Sequence, residues 1–260
     1  MNDDYLSRFG GIGRLYGKDA LARLHAAHVC VVGIGGVGSW TAEALVRSGI
    51  GAITLIDPDD VCITNVNRQL PAMNPAIGRP KVEVMRERLA DINPHCTITT
   101  IAEFFSPSSA ETHLTPQFHF VVDAIDNMFA KALLIASCQA RGIPVISVGG
   151  AGGRRDPSAV KVADLGEAGG DQLLKQVRRA LRSDHGFAKG VTDFGIPCVF
   201  SSEKQVFPWA DGQVCEAQEP GSSLRMDCAS GFGTATFMTG TFGFLAAGEV
   251  VRRIAEGLPR

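Results

Sequence analysis

Two groups of residues carry most of the chemistry legible in this chain. The first is Gly33-Ile34-Gly35-Gly36-Val37-Gly38. Glycines of this kind let backbone approach phosphate closely, and the helix they open adds unpaired N–H groups and a positive dipole end. Asp57, 19 residues beyond Gly38, closes the next apolar run. A carboxylate in that place accepts hydrogen bonds from ribose hydroxyls. The second group follows at once: Asp59, then Asn65-Val66-Asn67-Arg68-Gln69. Asn67, Arg68 and Gln69 can hold a triphosphate, the arginine balancing charge that builds up during transfer. Taken alone they would read as a hydrogen-bonded turn; beside the glycines they read as a site.

Six further positions belong with these. Lys81 follows Gly78-Arg79-Pro80 and falls in the first turn of a helix, where a lysine opposes the dipole. That placement points to an anionic ligand, a solvated lysine being the plain alternative. Asp123 and Asp126 end a strand that faces the glycine turn, and their oxygens can organise a magnesium ion. Asp126 can equally cap the next helix. Cys228 is a nucleophile if a helix N-terminus lowers its pKa, and an inert buried thiol otherwise. Arg8 and Arg14 lie in a glycine-rich N-terminal stretch. It is either a surface arm or one that lays an arginine on phosphate, across a dimer interface.

These groups need a scaffold, and the chain supplies a repeating one. Residues 29–32 form an apolar run into the glycines, an amphipathic stretch continues to Ser48, and residues 53–56 end on Asp57. A helix begins at Lys81 with Val82, Met85, Leu89 and Ile92 on its apolar face, and Asn93-Pro94 ends it. Strands are expected at 96–101, 118–122 and 143–148, with helices between them. This alternation predicts an α/β fold: Rossmann-like, a mostly parallel sheet with helices on both faces. Beyond residue 158 it weakens into partly antiparallel strands at 160–163 and 198–207. Between them the stretch 171–182 carries Lys175, Arg178, Arg179 and Arg182, a solvated basic helix or a grip for a nucleic-acid backbone.

Composition bounds the rest. The 260 residues are 45% hydrophobic and 20% charged, ordinary for a soluble globular protein. We read them as one domain, 1–260: an N-terminal helical arm (1–27), a nucleotide-binding core (28–150) and a substrate-side portion (151–260). The net charge of −2 announces no global basic field, so a nucleic-acid partner must be met by a local patch. Seven cysteines without a short-range framework, and a polar N-terminus in place of a leader, indicate a reducing, cytoplasmic setting. No Cys-x-x-Cys pair is present, which disfavours structural zinc. Residues 229–248 carry no charge and are long enough to span a bilayer, but their five glycines and four threonines indicate a buried, closely packed helix and no membrane contact.

The set Gly33–Gly38, Asp57, Asp59, Asn65-x-Asn67-Arg68-Gln69, Gly78-x-Pro80-Lys81 and Asp123-x-x-Asp126-Asn127 resembles the ubiquitin-activating-enzyme superfamily across residues 28–150. The resemblance implies that superfamily's adenylation fold, with ATP and magnesium bound and a carboxylate converted to an acyl-adenylate. It places Arg68 and Lys81 on phosphates and Asp126 on magnesium and catalysis. Features elsewhere are similar to one ligase-like branch, which dehydrates threonylcarbamoyladenosine beside the anticodon of tRNA. They include Arg8-Phe9-Gly10-Gly11, Arg14-Leu15-Tyr16-Gly17, Gly149–Gly153 and Met226-Asp227-Cys228-Ala229-Ser230-Gly231. Members of that branch are homodimers. Three other functions compete. One is an adenylyltransferase for a ubiquitin-like sulfur carrier, against which the missing zinc cysteines argue. Another is a nucleotide-bound binding partner in a sulfur relay, fed by a cysteine desulfurase. The last is an NAD-dependent oxidoreductase.

Overall fold

The structure is a computed structural model that describes residues 1–115, 117–190, 192–220 and 232–257. Two helices, α1 (Asp3–Tyr16) and α2 (Lys18–Ala26), precede β1 (His28–Val32), α3 (Gly38–Arg47) and β2 (Ala52–Ile56). Then come α4 (Lys81–Ile92), β3 (Thr97–Ile101), α5 (Pro107–His113), β4 (Phe120–Asp123), α6 (Met128–Ala140) and β5 (Val145–Val148). The chain continues through β6 (Val160–Asp164), α7 (Gln172–Asp184), β7 (Pro197–Ser201), β8 (Phe207–Pro208) and β9 (Val214–Cys215) to α8 (Thr236–Glu256).

The main sheet has seven strands in the order β3-β2-β1-β4-β5-β7-β6. All neighbours are parallel except β6, which runs antiparallel to β7 from Val160 opposite Ser201 to Asp164 opposite Pro197. The strand order reverses between β1 and β4, and in open α/β sheets that reversal opens a crevice at the carboxyl ends. Alternate residues feed two cores. Val29 and Val31 face one with α3, α4 and α8, while Cys30 and Val32 face the other with α6 and α7. Strands covered on both faces must be apolar throughout, which is why the sequence shows short solid runs in place of alternation.

Four local expectations are refined. The N-terminal glycines do not loosen the arm: α1 is one helix capped by the Asn2 side chain, with Tyr5 and Phe9 buried. The Tyr5 hydroxyl donates to the Gly49 carbonyl at 2.6 Å and ties α1 to the turn after α3. The strand expected over 198–207 stops at Ser201. There the Arg154 guanidinium takes the carbonyls of Ser201 and Glu203, and the Glu203 carboxylate accepts the N–H groups of Arg155 and Asp156. Backbone groups so engaged cannot continue a ladder, and Phe207–Pro208 pairs instead with Val214–Cys215.

The charge-free stretch supplies the first turns of α8, which packs on α3. A Cβ at Gly243 would lie 2.8 Å from the Val37 carbonyl oxygen, so glycine permits this approach. No helix among the described residues is long and apolar enough to cross a membrane. In the basic helix α7, Arg178 turns inward and donates to the carbonyls of Leu165 and Ala168, while Arg182 lies 5.0 Å over the Phe194 ring. Its amphipathicity is thus built partly from arginines that fasten it to the domain.

Candidate nucleotide-binding site

The glycine turn joins the end of β1 to the start of α3, at the strand-order reversal. Gly33 adopts φ +92°, and a Cβ there would stand 2.7 Å from the Ala124 carbonyl oxygen. Conformation and space therefore both demand glycine, and the turn is pressed onto the end of β4. Gly38 is still more constrained, with a Cβ only 1.7 Å from the Gly33 oxygen. At Gly36 the added atom would meet the Thr239 side chain at 3.0 Å. Gly35 differs: its nearest neighbour would be the Gln69 amide nitrogen at 3.9 Å, so no protein atom requires glycine there.

Asp57 leaves the end of β2 and is almost fully buried. Its carboxylate accepts the Ile34 N–H at 2.6 Å and the Asp59 N–H at 2.9 Å, locking the glycine turn to the second strand. Burial pushes its pKa above the usual carboxylate range, while the Lys81 ammonium and those two N–H groups pull the other way. Lys81 starts α4 and is itself buried, with Nζ 2.7 Å from Asp59 Oδ2 and 3.7 Å from Asp57 Oδ1. The lysine at a helix N-terminus thus has two acids to offset the dipole.

The loop bearing Asn67, Arg68 and Gln69 is fastened to the start of α8. Asn67 donates to the Thr234 carbonyl at 2.9 Å and accepts from the Arg68 guanidinium. The Thr236 hydroxyl bonds the Asn67 carbonyl; Trp40 and Thr239 both donate to the Arg68 carbonyl. Arg68 is half-buried, its guanidinium held by the Thr64 carbonyl at 2.6 Å. Buried Gln69 Oε1, beside Gly35, has no hydrogen-bond partner among the described residues. A buried amide oxygen left unpaired is costly, so it points to a donor brought by a ligand.

The two acids at the end of β4 separate. Asp123 is fully buried, and its Oδ2 accepts from Lys131 at 2.8 Å and from Ser147 at 2.7 Å. It faces the interior, not the cleft. Asp126 is exposed and has no hydrogen bond or ion pair with any described residue. The helix-capping alternative falls to its neighbour: Asn127 Oδ1 accepts from Phe129 and Ala130 and caps α6. Arg14 is exposed on α1, whose anchors Gly49, Ile92 and His95 lie at the opposite end of the sheet, and among the described residues no hydrogen bond or ion pair joins it to the cradle. Cys228 lies outside the described residues.

Among the described residues no group of three His, Cys, Asp or Glu could hold a metal ion. The residues that the motif spacing missed are Thr234, Thr236, Thr239 and Trp40, which have no local signature, and Lys131. Lys131 did leave a signal, as the one charge in the mostly apolar helix Met128–Ala140. A lone lysine on such a helix needs a buried acid.

A glycine turn, a buried acid closing the second strand and a braced arginine loop, all at the strand-order reversal, define a nucleotide-binding α/β protein. Residues 11–257 match the model of the ThiF family. The chain belongs to the ThiF family. It is 51% identical over 255 residues to the tRNA threonylcarbamoyladenosine dehydratase of Haemophilus influenzae, covering 98% of this chain and 95% of that one. Two crystal structures of the Escherichia coli tRNA N6-threonylcarbamoyladenosine dehydratase, TcdA, superpose over 98% of this chain and 97% of theirs. The complex with AMP does so at a TM-score of 0.88 and 44% identity, the complex with ATP at 0.86 and 43%.

Proposed function

We propose that this chain is an ATP-dependent tRNA-modifying enzyme that dehydrates threonylcarbamoyladenosine beside the anticodon, closing it to a ring. The observation that carries this reading is its likeness to a dehydratase over 98% of the chain. Likeness confined to the nucleotide-binding half would fit a sulfur-carrier adenylyltransferase equally well. We take residues 1–260 as one adenylation domain in the cytoplasm, with ATP as a substrate.

The threonyl carboxylate is a poor acyl donor until activated. One of its oxygens attacks the α-phosphorus, the bond to the β-phosphate oxygen breaks, and pyrophosphate leaves. The tethered carbamoyl group then attacks the acyl carbon, loses a proton and expels AMP, so the oxygen lost from the nucleoside departs on AMP. The second step is intramolecular, and orientation supplies much of its acceleration.

The backbone at Gly33, Gly35, Gly36 and Gly38 lies along the phosphates, and the open space at Gly35 supports that placement. Asp57 takes the ribose. Asn67, Arg68 and Gln69 hold the triphosphate, the unpaired Gln69 oxygen accepting from a water on the phosphates or from a ribose hydroxyl. Lys81, positioned by Asp59, neutralises phosphate charge. Asp123 serves from behind, shaping the β4 turn through Lys131. Asp126 is left free to act at the reacting centre.

A lone exposed carboxylate fits magnesium, which takes most of its ligands from phosphates and water and only one or two from protein. Held at Asp126, the ion would neutralise charge on the phosphate oxygens. A homodimer would let Arg14 reach the neighbouring protomer's nucleotide. Exposed Phe237 and Phe244 on α8 offer an apolar surface for such pairing.

Nucleoside mass spectrometry tests the reading, using ATP, magnesium and tRNA that carries threonylcarbamoyladenosine. We expect the nucleoside to lose one water only when ATP is present. Asp126→Asn should fold normally, since that side chain bonds to no described residue, and should lose at least about a hundredfold in rate. ATP turnover that needs a small carrier protein, with no change in the tRNA, would replace this reading with the sulfur-carrier one.

A further inference from the structure

If tRNA is the substrate, a chain of net charge −2 must hold it by a local patch. Helix α7 leaves only Lys175 and Arg179 of its cations exposed, because Arg178 and Arg182 are turned onto the domain. A cluster of arginines oriented by acids, Arg8 by Asp4 and both Arg47 and Arg88 by Glu43, lies where α1, α3 and α4 meet. Arg8, Arg47, Arg88, Asp91 and Ile92 line an open cleft of about 380 Å³ there.

Its construction is specific. Glu43 on α3 is almost fully buried, and it bonds Arg47 Nε at 2.8 Å and Arg88 through both Nε and a terminal nitrogen. Burial pushes its pKa up, but the hydrogen bonds from Arg88 and Arg47 outweigh this and hold it below the usual glutamate value. One guanidinium would balance one carboxylate. Here two converge on it, Arg47 by Nε and Arg88 by Nε and one terminal nitrogen, and both arginines line the cleft. Arg8 joins from α1, braced by Asp4 and by the Ile92 carbonyl. Arginines whose planes are fixed by a carboxylate behind them suit phosphate oxygens, because the fork is oriented before binding.

Arg47 ends the helix that the glycine turn begins, about 15 Å along α3 at 1.5 Å per residue. A mononucleotide seated in the cradle does not reach that far. A polynucleotide with one base at the cradle carries further phosphates over such a span.

We propose that this cleft is a phosphate clamp for the backbone of the tRNA substrate, with Arg8, Arg47 and Arg88 as its donors and Glu43 as the residue that positions two of them. This rests on the tRNA reading above. It accounts for Arg8, which has no part in the nucleotide site.

The test is the salt dependence of binding to tRNA carrying threonylcarbamoyladenosine, by fluorescence anisotropy on the full-length protein. Arg47→Gln should weaken binding about five- to tenfold at low salt and reduce the slope of log K against log salt by about one. Arg8→Gln with Arg47→Gln should reduce it by about two. Arg47→Lys, which keeps the charge, should keep the slope. ATP affinity should stay unchanged in all three, with the thermal midpoint confirming that each is folded. A double variant that matches wild type in affinity and slope would overturn the clamp while leaving the dehydratase reading intact. A wild-type protein that neither binds this tRNA nor removes water from its nucleoside would overturn both.

Discussion

Replacing Gly35 and Gly38 separately by alanine should split folding from nucleotide binding. At Gly38 the new Cβ would stand 1.7 Å from the Gly33 carbonyl oxygen, so backbone and carbonyl must part by more than about 1 Å. Neither neighbour is the flexible end of a side chain, and overpacking of this kind costs about 1–3 kcal/mol. At Gly35 the nearest atom would be the Gln69 amide nitrogen at 3.9 Å, and φ is not positive. Alanine fits there without strain and, by restricting the unfolded chain, should stabilise the protein by about 0.4–1 kcal/mol.

The order of Gly35→Ala and wild type reverses when ATP is added. At a hundredfold excess over its Kd a ligand raises stability by about 2.7 kcal/mol. A methyl group placed where phosphate must approach should weaken binding at least about tenfold, removing roughly 1.4 kcal/mol of that gain. Urea unfolding with and without ATP reads both quantities. Gly35→Ala should unfold no earlier than wild type in the absence of ATP and show a diminished shift in its presence. If Gly35→Ala is as unstable as Gly38→Ala, the space at Gly35 is not open. Were it instead to bind ATP as wild type does, that space would not be the phosphate cradle.

Lys131→Met should cost about 3–5 kcal/mol in urea unfolding, because it leaves Asp123 fully buried without its cation. Adding Asp123→Asn should recover most of that loss. Arg88→Met should cost about 2 kcal/mol at pH 7, Arg47 remaining on Glu43. The native pKa of Glu43 lies below its ordinary value of 4.5, so its contribution is complete above that value and is lost as pH falls through the native pKa. The stability gap between Arg88→Met and wild type should therefore narrow in acid. Asp57 has the opposite sign: its native pKa is raised, so its contribution falls as pH rises from the ordinary value of 3.8 to the native one. Lys81→Met removes the cation that opposes this rise. An NMR titration should place the Asp57 carboxyl higher in the variant; an unchanged midpoint would show that the 3.7 Å approach carries no weight.

Much of the site was legible because its logic is local. Glycine spacing, the acid ending the second strand and the lysine after Pro80 are set by neighbours within a few residues, and Gly33, Asp57 and Lys81 stand where those patterns put them. The α/β alternation was readable for the same reason, since buried parallel strands and amphipathic helices each imprint their own period. Distant contacts decided the rest. Asp123 and Asp126 are indistinguishable as types; Ser147 on the neighbouring strand and Lys131 on α6 draw one inward, and Asn127 takes the cap that would have occupied the other. The basic face of α7 read as either solvated or a grip for a nucleic-acid backbone, and Leu165, Ala168 and Phe194 take up two of its arginines, Arg178 and Arg182. Glu43, Arg88 and Arg8, from three separate helices, have no common pattern in the chain and form a cleft only when those helices pack. A side chain's type and its near neighbours are written along the sequence, but whether its charge faces solvent, a ligand or a buried partner depends on what the tertiary fold places opposite it.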